Sequence, residues 1–328
     1  MKVSEKTIKI VVSTVLSILI AQLLQLENPL AAGIIAVLSV LDTKKESLLT
    51  AFARMMSTIV AFIIATIVFY FMGFTVWAFG VYLVIYVPVA YRFHLEDGIA
   101  PCSVLVTHFM IAGSTSLYWQ VNGLSIMAIG ALMAVGLNLW MPSQKQVLDN
   151  KVSEIEEEMR TILRYLSVQL VEETENKKLI NHIRTADSLI KRTEEMALTE
   201  YNNQLLTKED YYIRYTQMRN KQLDMMKKMA TNVCDIDLRT EQNTILSEVF
   251  EDIANQFHET NTGITLLENI ALLYKDFRQS ELPKTRSEFE SRAVLFQVLN
   301  DIDEFLQLKK NFFVGQNKTK NASSAPKV

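Results

Sequence analysis

Two regimes of apolar spacing divide the chain. Through about residue 141 apolar side chains run almost unbroken, and from Gln144 they return every third or fourth position between charged neighbours. Six runs can be drawn in the first regime: 7–26, 30–43, 52–72, 74–91, 99–117 and 121–141. Most approach the ~20 helical residues needed to cross a ~30 Å hydrocarbon layer. The second does not: its apolar core, Leu30–Leu41, rises only ~18 Å as a helix. It either continues through Asp42 and Thr43, thins the bilayer, or is a re-entrant element packed inside protein. Pro29 suits the first turn of that helix, where a missing N–H costs little.

The second regime predicts helices throughout. Val152, Ile155, Met159, Ile162, Leu166 and Leu170 form one apolar stripe, and Ile183 to Ala197 suggest a second helix. Tyr211, Tyr215, Met218, Met225, Met229 and Val233 mark a third. Ile245 to Phe277 give a long fourth, with Gly263 as a point of interruption, and Phe289 to Leu306 the last. Proline is absent between Pro142 and Pro283, as a helical bundle prefers. No strand alternation occurs. The expected class is all-α: a six-helix transmembrane domain over 1–143, a cytoplasmic helical bundle over 144–315, and a polar, disordered tail over 316–328.

Charge sharpens the division. Residues 1–144 hold 7 basic and 6 acidic side chains, which leaves 26 and 30 of the totals of 33 and 36 for the remainder. The two halves therefore face different solvents. With a cytoplasmic N-terminus, the inner segments collect Lys2, Lys6, Lys9, Lys44, Lys45, Arg54, Arg92, Lys145 and Lys151. The outer turns carry no Lys or Arg, which is the positive-inside pattern. Six spans return the chain to the cytoplasm, so both termini lie inside a multi-pass protein of the plasma membrane. The first run lacks a small-x-small cleavage site and reads as a span rather than a leader.

Function classes fall away in turn. Basic residues of the second half are scattered, without a stripe interleaved by aromatics, which excludes nucleic acid. Cys102 and Cys234 lie in different halves and make neither a disulfide nor a metal motif. No phosphate-binding loop, zinc-protease motif or nucleophile elbow occurs, so no enzyme, catalytic residue, metal or cofactor is expected.

The candidate chemistry is ionisable or polar groups at membrane depth. Arg54, two residues into the third run, either snorkels to the interface or grips an anion through its planar fork. His108, near the centre of the fifth, is either a neutral bridge to another helix or a proton carrier. Thr43 and Glu46 form a candidate capping box, and the helix terminus beside Lys44 and Lys45 is either a solvated loop or an anion site. Asn138, near the end of the sixth run, can hydrogen-bond across helices. Gly130 and Gly136, among alanines, allow close helix approach.

Several segments carry a family likeness. They are Asn28-Pro-Leu-Ala-Ala-Gly-Ile-Ile-Ala-Val-Leu-Ser-Val, Ser47-Leu to Arg54, Gly98-Ile-Ala-Pro-Cys-Ser-Val-Leu-Val-Thr-His108, and Leu137-Asn138-Leu-Trp-Met-Pro142. With the layout of spans and C-terminal helices, the chain resembles the bacterial aromatic acid exporters of the Firmicutes type, related to fusaric acid resistance proteins. Arg54 matches the family's arginine in the third span, and Ser57 stands where the family usually has glycine. The resemblance implies a secondary exporter of aromatic acids or related amphipathic anions. It also implies a homo-oligomer, because membrane units of this kind occur doubled in the wider family and this chain has one. The alternative is a membrane-anchored helical scaffold without transport.

Overall fold

The computed structural model describes residues 3–140, 144–172, 176–204, 209–236 and 240–323. Among them the regular elements are twelve α-helices and one 3-10 turn, without strands, so the protein is all-α. Two compact units emerge: Met1–Ser143 with Asn202–Lys208, and Gln144–Tyr201 with Glu209–Val328.

The first unit holds α1 (Val3–Leu23), α2 (Leu30–Ser39), α3 (Lys44–Met72), α4 (Val76–Arg92), a 3-10 turn (Glu96–Gly98), α5 (Ile99–Ala112) and α6 (Leu117–Leu139). Among the described residues three helices are long and apolar enough to cross a membrane, by length and composition: α1 from Lys6, α3 and α6. The others are shorter for local reasons. α2 stops at Ser39 because Val40 is extended, so it does not run on through Asp42 and Thr43. α5 stops at Ala112, short of residue 117, because Gly113 adopts the left-handed conformation at φ 59°. α3 instead begins early, at Lys44, where the Thr43 hydroxyl accepts the Glu46 N–H at 3.3 Å. α4 continues through Pro88.

α2 packs between α1 and α6, and the small residues Ala31, Ala32, Gly33 and Ala36 on it are buried. A Cβ on Gly33 would lie 2.7 Å from Ile18, and one on Gly130 would lie 2.7 Å from the Ala32 carbonyl oxygen. Gly130 is therefore packed closely against α2 inside this unit, whereas Gly136 has open space beside it. The outer surface is apolar, and Tyr70, Trp77 and Trp140 near helix ends are 83%, 84% and 86% exposed. An exterior of this kind suits lipid, with amphipathic rings at the interfaces, and the chain is a membrane protein.

The second unit contains α7 (Lys145–Val171), α8 (Asn176–Asn203), α9 (Tyr211–Cys234), α10 (Glu241–Asn255), α11 (Ile264–Gln279) and α12 (Arg286–Ser323). The apolar stripes converge on one core, with Ile162, Leu166, Met226, Phe250, Leu299 and Ile302 fully buried. The long fourth helix is two helices. Gly263 takes φ 73° ahead of α11, and its N–H donates to the Asn261 side chain at 2.7 Å. α12 runs on to Ser323, through the start of the segment expected as a tail, and residues 324–328 lie outside the described ones.

Candidate functional site

In the membrane unit the polar side chains gather where the C-terminus of α2, the first turns of α3 and the turn before α5 meet. Arg54 is the hub. It is only 6% exposed, so it does not snorkel outward. One terminal nitrogen donates to the Leu38 carbonyl at 3.0 Å, the other to the Ser39 hydroxyl, and Nε donates to the Asp97 carbonyl at 3.0 Å. Leu38 and Ser39 end α2, where carbonyls lack intrahelical partners and the helix dipole is negative, so a cation belongs there. All three acceptors are neutral. The Asp97 carboxylate instead accepts the Thr50 hydroxyl at 2.9 Å, and Arg54 forms no ion pair among the described residues.

The next turn of α3 continues the network. Ser57 donates to the Leu95 carbonyl at 3.1 Å and lies 2.7 Å from the Tyr86 hydroxyl of α4. A Cβ on Gly98 would come within 2.3 Å of the Ser57 side chain. The missing glycine at position 57 is thus compensated across the contact, and the close approach is kept. Thr58 donates to the Arg54 carbonyl at 2.7 Å and lies 3.3 Å from the fully buried Cys102 thiol of α5.

The other predicted residues divide. Asn138 joins the same end of the unit: it is 1% exposed and its Nδ2 donates to the Leu41 carbonyl at 2.8 Å and to the Ser47 hydroxyl. Lys9 Nζ reaches its Oδ1 at 3.4 Å. Lys44 and Lys45 stand in the first turn of α3, and neither ammonium forms an ion pair among the described residues. His108 is separate. It is buried on α5, and its Nδ1 has no hydrogen-bond partner, so the bridge to a neighbouring helix is not made through that nitrogen. A buried unpaired ring nitrogen is costly and asks for a proton, a water or a function.

A second polar assembly lies in the core of the C-terminal unit. Arg219, 1% exposed, donates to Glu156 at 2.6 Å, to the Tyr215 hydroxyl at 2.8 Å and to Gln222 at 2.8 Å, and lies 4.2 Å over the Phe257 ring. Tyr215 donates to the same Glu156 oxygen at 2.6 Å, and Gln222 donates to the Phe305 carbonyl at 2.9 Å. Burial, and secondly the charge of Arg219, push the Lys309 ammonium down to about 8. Periodicity held the signal for this cluster: Glu156, Arg219, Gln222 and Lys309 fall in register with the apolar stripes of α7, α9 and α12. No group of His, Cys, Asp and Glu among the described residues is arranged to hold a metal.

Comparison with known proteins covers both units. Residues 1–141 match the family model "Aromatic acid exporter family member 1", and residues 145–310 match "Putative aromatic acid exporter C-terminal domain". An uncharacterised Bacillus subtilis protein, YqjA, is 29% identical over 311 residues, covering 95% of this chain and 96% of its own. The crystal structure of a "putative membrane protein from Clostridium difficile 630" is 24% identical with a TM-score of 0.47, covering 52% of this chain and 98% of that one.

Proposed function

The chain belongs to the aromatic acid exporter family, and from that premise we propose that it is a plasma-membrane secondary exporter of aromatic acids or related amphipathic anions. One observation carries the substrate end of this reading: a buried arginine whose three acceptors are all neutral. A carboxylate is a stronger acceptor than a carbonyl or hydroxyl and fits the guanidinium fork in bidentate fashion. Substrate therefore competes with Leu38, Ser39 and Asp97 for Arg54, and its arrival frees the end of α2. Lys44 and Lys45, unpaired in the adjoining turn, draw anions toward it. Asn138 ties α6 to the same turn. His108 carries the coupling proton, a role consistent with its unpaired ring nitrogen.

The test is efflux from cells with and without the protein, using a panel of hydroxybenzoates and lipophilic toxins. Protein-dependent export of the acids is the expected result. His108→Gln should flatten its pH dependence between roughly pH 5 and 8. A protein that is inserted and abundant yet moves none of the panel would favour the scaffold alternative.

Topology is part of the proposal: six spans with both termini inside, the short α2 crossing by thinning the bilayer, on the strength of the Lys/Arg asymmetry. Single cysteines at Gln120 and Gln316 check it. A membrane-impermeant maleimide should label the first in intact cells and the second only after permeabilisation. The working form is a homo-oligomer, because one chain supplies one membrane unit.

A further inference from the structure

The C-terminal unit holds a cavity of about 250 Å³ between the end of α11, the Ser280–Thr285 connection and the first turns of α12. Its walls are aromatic and aliphatic, and include Phe277, Phe289, Phe296 and Leu282. Leu282 and Phe289 are 85% and 61% exposed, apolar surface facing water with nothing upon it. Two arginines, Arg278 and Arg292, also line it, with the Glu281 carboxylate in the wall and the Glu288 carboxylate paired to Arg292 beside it.

Polar detail decides what the cavity suits. Arg292 is held by Glu288 at 2.7 Å, by the Glu281 carbonyl and by the Ser280 hydroxyl, which fixes its guanidinium in place. Its Nε is nonetheless buried without a partner. Arg278 forms no ion pair among the described residues. Gln242, at the start of α10 and on the cavity wall, has a buried amide oxygen without a partner. An apolar cavity of about 150 Å³ is enough for benzene, so this one has room for a ring with a carboxyl and a small substituent.

We infer that this cavity binds a hydroxylated aromatic acid, with its carboxylate on Arg292 and Arg278, its ring among Phe277, Phe289 and Phe296, and its hydroxyl on Gln242. A ring hydroxyl both donates and accepts, so it satisfies the Gln242 amide in either orientation. The ligand class is shared with the proposed export activity, and this much rests on that reading. The site is a second one, outside the membrane unit.

The experiment uses the full chain in lipid nanodiscs and 4-hydroxybenzoate as the probe, read by hydrogen–deuterium exchange over residues 277–296. Exchange there should slow saturably with added acid. Arg292→Gln should weaken the apparent affinity about ten- to a hundred-fold, as loss of a charge-assisted hydrogen bond implies. Benzoate should bind about two- to tenfold more weakly than the hydroxylated acid. Ala293→Trp fills the cavity from an exposed position and leaves the Arg292–Glu288 pair intact, so it should abolish the protection without altering exchange in α7 and α9. Unprotected residues 277–296 at concentrations that saturate export would overturn the inference and leave transport standing. Protection equal in wild type, Arg292→Gln and Ala293→Trp would overturn it too. Protection without export would uphold this site and remove the transport reading.

Discussion

Replacing Arg54 with lysine is expected to lower export per inserted molecule by about ten- to a hundred-fold, although the formal charge is retained. A guanidinium presents five donors in a planar fork, and here three are spread over Leu38, Ser39 and Asp97 on two separate elements. An ammonium is a compact point donor on a more flexible stem and cannot hold both elements while also meeting a carboxylate bidentately. Losing one charge-assisted hydrogen bond is worth roughly 1.5–3 kcal/mol, which sets the expected range. The competing account makes Arg54 a fastener of α2 and nothing more. It predicts less folded protein and normal transport by each surviving molecule. Transport rate divided by the amount of correctly inserted protein separates them, and an unchanged quotient in Arg54→Lys eliminates Arg54 as a substrate contact.

In the C-terminal unit the largest effect belongs to Arg219. Arg219→Met should destabilise that unit by about 3–5 kcal/mol, because Glu156 is left buried without its counter-charge. Glu156 would keep only the Tyr215 hydroxyl at 2.6 Å, and Gln222 would lose a donor. Removing both charges, as Arg219→Met with Glu156→Gln, should recover much of the loss, since a buried pair contributes less than either partner costs when stranded. Helical circular dichroism across a urea titration of the full chain in detergent reads both. A double variant as unstable as the sum of the two single ones would mean that the pair is uncoupled and the account wrong.

The fold was more legible than the chemistry, for physical reasons. Helical class and the location of each helix follow from apolar spacing, which burial enforces at every turn. Helix ends were harder because they depend on one backbone angle: Gly113 in the left-handed region ends α5 early, and the Thr43 cap starts α3 early. The break in the long fourth helix of the second unit is marked in the sequence by Gly263 alone, because apolar periodicity survives across the point where Asn261 and Gly263 turn the chain. Arg54 stood out because charge is rare in an apolar run. Its partners did not, since two are backbone carbonyls and carry no sequence signature. Glu156 and Arg219 escaped for the opposite reason. Charge is common in their half, and only their register within the apolar stripes distinguishes them.

The Cys102 thiol, sealed against Thr58 between α5 and α3, gives the membrane unit a clock of its own. A buried thiol is alkylated only in the fraction of time its helices stand apart, so its modification rate is the opening equilibrium multiplied by a known intrinsic rate. Cys234, exposed in the C-terminal unit, reacts in the same tube and calibrates the reagent. The native chain therefore reports how often α3 and α5 separate without any introduced probe, and a ligand that frees Arg54 should register as a faster tick at Cys102 alone.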